Sequence, residues 1–142
     1  MKNEKVFYDL IMSYLHKEYV WHGDNPNTGI DCSNLVVDIL KTVGIYNYSG
    51  GASSQYLFNM LYQGEFDELK LGSICFYGRS VDQIHHCGIM LNEDLIMESG
   101  GGTSKTSSIE KAREHNARVR IRKYDYRTDL ISVVNPSYFF SS

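Results

Sequence analysis

The chain has 142 residues, 42% of them apolar and 22% charged, with a net charge of −3. That is enough for one folded domain with one core, read here as a single unit over residues 1–142 without linker or repeat, and it excludes a disordered chain. The negative balance gives no global attraction to nucleic acid, no run approaches the roughly 20 apolar residues that span a bilayer, and the start, MKNEKVFYDLIMSYL, lacks the apolar stretch and small-residue cleavage site of a secretory signal.

Apolar pairs at Val6/Phe7, Leu10/Ile11 and Tyr14/Leu15 recur at the helical period and predict an amphipathic helix over 4–18. HGDNPNTG, from His22 to Gly29, is dense in turn formers and reads as a loop. A second helix is predicted over 32–43, with Leu35, Val36, Ile39, Leu40 and Val43 inward and Gly44 as its stop. A third, over 54–62, has Ser53 or Ser54 as cap and Gly64 as stop. Strands follow over 71–77, 84–91 and 94–98, the last two joined by a tight turn at Asn92–Glu93–Asp94. The loop GGGTSKTSS and a short helix over 108–115 lead to RVRIRKY, whose alternation predicts a strand with one wet face, and LISVVN closes the sheet. Helices first and strands after give an α+β fold with an antiparallel sheet.

Eight of the 14 basic residues fall between Lys105 and Arg127. They read either as a solvated helix and strand face or as a patch for an anionic polymer. Three cysteines, Cys32, Cys75 and Cys87, make neither a CxxC pair nor a zinc pattern. Cys75 and Cys87 lie in apolar strands and read as small buried hydrophobes. Cys32 lies among Asp31, Ser33 and Asn34 where a helix begins. A helix start offers unpaired N–H groups and a positive dipole end, which favour a thiolate and a developing oxyanion. Local chemistry alone leaves nucleophile and buried hydrophobe both open.

YVWHGDNPNTGIDCSNLV, Tyr19 to Val36, resembles the entrance motif of the NlpC-type family of bacterial and phage cell-wall cysteine peptidases, through Tyr19, Val20, Trp21, Gly23, Pro26, Gly29, Asp31, Cys32, Ser33, Leu35 and Val36. LGSICFY is similar to the next motif of the family, and His86-Cys87-Gly88-Ile89-Met90-Leu91 to the one after it. The resemblance covers about residues 5–136. It implies a papain-like NlpC-type domain, N-terminal helices packed on an antiparallel sheet, with Cys32 as nucleophile and His86 as base and acid. Departures are His22 and Asn34, where the family has glycine, and Ser73, where it has aspartate. Glu98 stands twelve residues after His86, where the family commonly has a second histidine.

Neighbours in a strand point to opposite faces, so only one of His85 and His86 is expected to meet Cys32. The resemblance selects His86 and leaves His85 to a surface or structural role. Glu98, one turn and one strand away, can lie beside His86 across an antiparallel pair, fix its tautomer and stabilise the imidazolium; the competing reading is an exposed strand-end glutamate. In enzymes this chain resembles, the residues at Tyr19, Asp31 and Ser33 line the subsite beside the nucleophile and hold a free amino end of a peptide. Asp31 equally reads as a plain helix N-cap, and Ser33 as a first-turn residue.

GGGTSKTSS lacks the glycines of a phosphate-binding P-loop at Ser99 and Ser104. His85, His86 and Cys87 cannot converge on one ion from consecutive strand positions, so no metal site and no cofactor are expected. The resemblance implies hydrolysis of an amide in a peptidoglycan stem peptide, most often after γ-D-glutamate, by a compact enzyme of the phage lysis or tail-associated kind. Another thiol enzyme on the same scaffold (a muramoyl amidase, crosslinker or acyltransferase) and a non-catalytic tail-assembly module are the alternatives.

Overall fold

A computed structural model describes residues 2–17, 24–25, 29–47, 50–64, 66–100 and 118–137. The expected helix over 108–115, the loop after Gly100, Tyr19, and Lys105, Lys111 and Arg113 of the basic cluster lie outside the described residues.

Helix α1 covers Lys2–Met12, shorter than the expected 4–18. Phe7, Ile11 and Tyr14 are buried, while Val6 is exposed. Backbone bonds tighten after Leu10, and His16 takes a left-handed φ of 68°. That turn lets the His16 N–H and the Lys17 carbonyl pair with Val119 at 3.0 and 2.7 Å. Long-range backbone pairing thus wins over the helical period. Within the expected loop, β1 (Asp24–Asn25) and β2 (Gly29–Ile30) pair as a two-residue antiparallel ribbon.

Helix α2, Cys32–Thr42, is the central element. Ser33 to Val37, Ile39 and Leu40 are buried, as befits a helix packed on most of its surface. Asp31 caps it by accepting the Asn34 N–H at 2.9 Å. Gly44, at φ 82°, ends it in a Schellman turn: its N–H bonds Lys41 O at 3.1 Å and the Ile45 N–H bonds Leu40 O at 2.9 Å. Helix α3, Ser54–Leu61, is capped by Ser53, which accepts the Tyr56 N–H.

Five strands form one antiparallel sheet in the order β6-β5-β4-β3-β7, with β3 Ile74–Gly78, β4 Ile84–Met90, β5 Leu95–Gly100, β6 Arg118–Lys123 and β7 Leu130–Val134. The helices pack their apolar sides against Phe76, Cys87, Ile89 and Met97. A smaller cluster joins Cys75, Tyr77, Met90, Ile96 and Val133 to Tyr124 and Tyr126. Asn92 builds the β4–β5 turn by accepting the Asp94 and Leu95 N–H groups at 2.8 and 2.9 Å. Among the described residues no helix is long and apolar enough to cross a membrane.

The β3–β4 ladder slips by one residue near its end. Tyr77 pairs with His86, but Gly78 pairs with Ile84, so His85 is an extra residue in β4. A bulge of this kind bends a strand and re-aims side chains. It explains how Ile84 and Cys87, of opposite parity, both enter the helix-side core while His85 is exposed.

Candidate active site

Cys32 is the first residue of α2, where the N-terminal N–H groups and the dipole favour an anion. It is half-buried. Its sulfur lies 3.6 Å from the Ser54 hydroxyl, and the Cys87 sulfur lies 3.8 Å from its carbonyl oxygen. The Cys32 thiol is held well below the ordinary range: a hydrogen bond from Cys87 and the hydrogen bond and charge of His86 outweigh burial. Cys87 moves the other way, because the neighbouring Cys32 sulfur and burial both keep its proton on.

Next to the bulge and in register with Tyr77, His86 is only 7% exposed and hydrogen-bonds with Cys32. Burial alone lowers an imidazole; here the Cys32 sulfur, then Glu98, overcome it and raise His86 to about 9. Its Nε2 lies 2.9 Å from Glu98 Oε2. No hydrogen is aligned on that carboxylate oxygen, however. Nε2 meets the Tyr126 hydroxyl in hydrogen-bond geometry at 3.1 Å. The carboxylate therefore acts on the ring chiefly as a charge in contact, and Tyr126 sets the ring's direction. With Nε2 so occupied, Nδ1 is the nitrogen left for Cys32.

Glu98 is fully buried, so its charge needs a partner. The Arg120 Nε–H donates to its Oε1 at 2.6 Å from the facing position on β6. Burial raises the carboxyl, but His86 and Arg120 outweigh it and the net direction is downward. Gly100 provides the space: a Cβ there would stand 2.2 Å from Glu98 Oε2 and 2.8 Å from an Arg120 nitrogen.

The structure thus brings Cys32, His86 and Glu98 together and leaves His85 at the surface. Asp31 and Ser33 lie beside Cys32, and both contribute to the helix cap, with the Ser33 hydroxyl 3.3 Å from the Asp31 carboxylate. The two scaffold departures have visible roles. Asn34 accepts the Ala52 N–H at 3.2 Å and fills the space over Gly51. Ser73 ties Glu68 and Lys70 to the β3 entrance.

Sequence reasoning misses four residues of the site: Arg120, Tyr126, Ser54 and Cys87. Arg120 carries a signal, since alternation in RVRIR puts Arg118, Arg120 and Arg122 on one face. Tyr126, in a turn 40 positions from His86, carries none. Cys87 is legible as buried but not as a neighbour of Cys32, because alternation fixes its face and not which part of a helix packs on it.

The NlpC/P60 family model matches residues 16–123, a span that contains Cys32, His86, Glu98 and Arg120. The chain belongs to the NlpC/P60 family. It is 30% identical over 101 residues to the murein DD-endopeptidase MepH of Escherichia coli K12, covering 69% of this chain and 36% of MepH. The chain thus spans about a third of that relative's length. An NLP/P60 lipoprotein-like structure from Staphylococcus aureus Mu50 superposes with a TM-score of 0.68 at 18% identity, covering 94% of this chain and 41% of that one. The NlpC/P60 domain of the peptidoglycan hydrolase SagA gives a TM-score of 0.60 at 16% identity, covering 94% and 98%. These NlpC/P60 structures fix the fold as papain-like α+β.

Proposed function

We propose that the protein is a cysteine peptidase of the bacterial cell wall, with Cys32 as nucleophile, His86 as general base and acid, and Glu98 as the charge that stabilises the imidazolium. One observation carries this reading: a thiol at a helix start faces an imidazole whose far nitrogen is held by a buried, arginine-paired carboxylate and a tyrosine hydroxyl. Below about pH 9 the His86 ring holds its proton while Cys32 is biased toward thiolate, so nucleophile and acid are present together. Cys32 attacks the amide carbonyl, and N–H groups at the start of α2 donate to the developing oxyanion. His86 gives its proton to the leaving amine, and water then hydrolyses the thioester. Tyr126 holds the ring, and Arg120 keeps Glu98 ionised.

Asp31, buried beside the nucleophile, is proposed with Ser33 and Tyr19 to hold a free amino end of the substrate. The peptidoglycan stem peptide as substrate is supported by membership of the family and by similarity to MepH and the fold of SagA. Two bonds compete. The γ-D-glutamyl bond is the family's common target, and the DD bond is the one the name of MepH denotes.

The test is a muropeptide digest read by mass spectrometry, with Cys32→Ala and chelator-treated protein alongside. New stem-peptide termini that need Cys32 and survive EDTA are expected, and their position names the bond. Cleavage that persists in Cys32→Ala, or is lost on chelation and restored by zinc, would overturn the assignment. Thiol-dependent products other than cleaved stem peptides would point to another thiol enzyme on this fold.

A further inference from the structure

Cys87 is a fully buried thiol to which the hydrolysis assigns no step. Strand β4 carries it one residue after His86, and regular alternation with Ile89 turns it to the helix side. There its sulfur accepts the Ser54 O–H at 3.3 Å and stands 3.8 Å from the Cys32 carbonyl. The same Ser54 oxygen lies 3.6 Å from the Cys32 sulfur. Two thiols from different elements therefore flank one hydroxyl, one of them half-buried and the other fully buried. The third thiol, Cys75, packs in the separate cluster with Tyr77 and Met90. Rotation about the Cα–Cβ bonds is the motion that brings neighbouring sulfurs to bonding distance.

We propose that Cys32 and Cys87 form a peroxide-oxidation site, in which Cys87 resolves the oxidised nucleophile as an internal disulfide. In the first step the Cys32 thiolate attacks one oxygen of a hydroperoxide. The O–O bond breaks, the sulfur is oxidised to sulfenic acid, and the peroxide is reduced to water or an alcohol. In the second step the Cys87 sulfur attacks the Cys32 sulfur. An S–S bond forms, the S–O bond breaks, and the departing hydroxide leaves as water with the Cys87 proton. The sum is two thiols and one peroxide giving one disulfide and two hydroxylic products.

The local chemistry suits this order. Cys32 is the accessible, electron-rich sulfur and reacts first. The hydrogen bond with Cys32 chiefly holds the proton on Cys87, with burial and the Cys32 charge behind it. Oxidation to sulfenic acid removes that charge, while the Ser54 hydrogen bond, which favours the Cys87 thiolate, stays. The disulfide blocks the nucleophile, shields it from further oxidation, and is returned to two thiols by a small dithiol. The proposal rests on Cys32 being the reactive thiol of the proposed hydrolysis. Its readout is mass, so it stands or falls independently of the substrate.

The test treats the full chain with hydrogen peroxide, alkylates the remaining thiols and maps them by mass spectrometry. Expected for the wild type is loss of two hydrogens, one cross-linked peptide pair joining Cys32 to Cys87, and near-complete recovery of Cys32 alkylation by iodoacetamide after dithiothreitol. Cys75→Ala is expected to behave identically. Cys87→Ala is expected to gain oxygen at Cys32 as sulfinic and sulfonic acid, with loss of dithiothreitol recovery. Wild-type protein that gains oxygen at Cys32 without the cross-link, links two chains, or recovers no better than Cys87→Ala would overturn the proposal. Should Cys87→Ala not fold, the wild-type cross-link map decides alone.

Discussion

Replacing Glu98 by glutamine removes the buried charge behind His86 while keeping its shape. The His86 value of about 9, against an ordinary 6.5, corresponds to roughly 3 kcal/mol in favour of the imidazolium. Burial opposes that rise, so Cys32 and Glu98 together contribute more than this, with Cys32 ahead of Glu98. A share of about 1.5 kcal/mol for Glu98 is about tenfold in the thiolate–imidazolium population. Charge that develops on His86 in the transition state adds to it, so kcat/KM on purified muropeptides is expected to fall roughly 10- to 1,000-fold. A second assay needs no substrate: the rate of Cys32 alkylation by iodoacetamide against pH. Its basic limb is expected to move from about 9 in the wild type to about one pH unit lower in Glu98→Gln. The substitution also leaves Arg120 facing an amide, at a stability cost of about 3 kcal/mol. Arg120→Met added to Glu98→Gln is expected to return stability without returning turnover. A folded Glu98→Gln protein with full turnover and an unmoved basic limb would reduce Glu98 to a structural ion pair.

His86→Ala is expected to abolish turnover while His85→Ala, at the exposed bulge, changes it less than about twofold; equal losses would undo the facing argument. Tyr126→Phe deletes the aligned partner of His86 Nε2, worth about 1 kcal/mol, and a several-fold drop in kcat with little change in KM is expected from steady-state kinetics. Gly100→Ala drives a methyl into the Glu98–Arg120 pair, so a loss of about 1–3 kcal/mol by denaturant unfolding and a fall in turnover are expected together. Thermal stability has opposite limbs. The contribution of His86, whose folded value is raised, is full below 6.5 and lost as pH climbs through about 9. The contribution of Glu98, whose folded value is lowered, is full above 4.5 and lost as pH falls through that lowered value. Tm is therefore expected to peak between 4.5 and 6.5 for these two groups, and Glu98→Gln to flatten the acid limb.

Much of the frame is legible in the sequence because local signals and tertiary demands agree. The α2 boundaries follow from Asp31 as cap and Gly44 as stop, and the β4–β5 turn from Asn92. Where they disagree, the sequence misleads. The period that continues past Met12 is broken by pairing with Val119, more than 100 positions away. The site is legible in its thiol, imidazole and carboxylate, because each sits at a recognisable place in a motif. Its support is not. Arg120 and Tyr126 reach Glu98 and His86 only through sheet register and a turn, and Cys87 meets Cys32 only through the packing of α2 on β4.

The flanks of the sheet carry a consequence for how a peptide can reach the enzyme. The outer side of β6 is occupied at Val119 by the backbone of His16 and Lys17, and the outer side of β7 at Val133 by the Asp67 N–H at 2.9 Å. Each border is thus covered near one end by the chain's own backbone, which interrupts the row of unpaired groups that invites strand addition. Among the described residues this shortens the edge along which a peptide could lengthen the sheet. At the proposed site, at the start of α2, a peptide would then be recognised chiefly through side chains and its own termini. Such a mode suits short, branched or cross-linked peptides better than long extended ones.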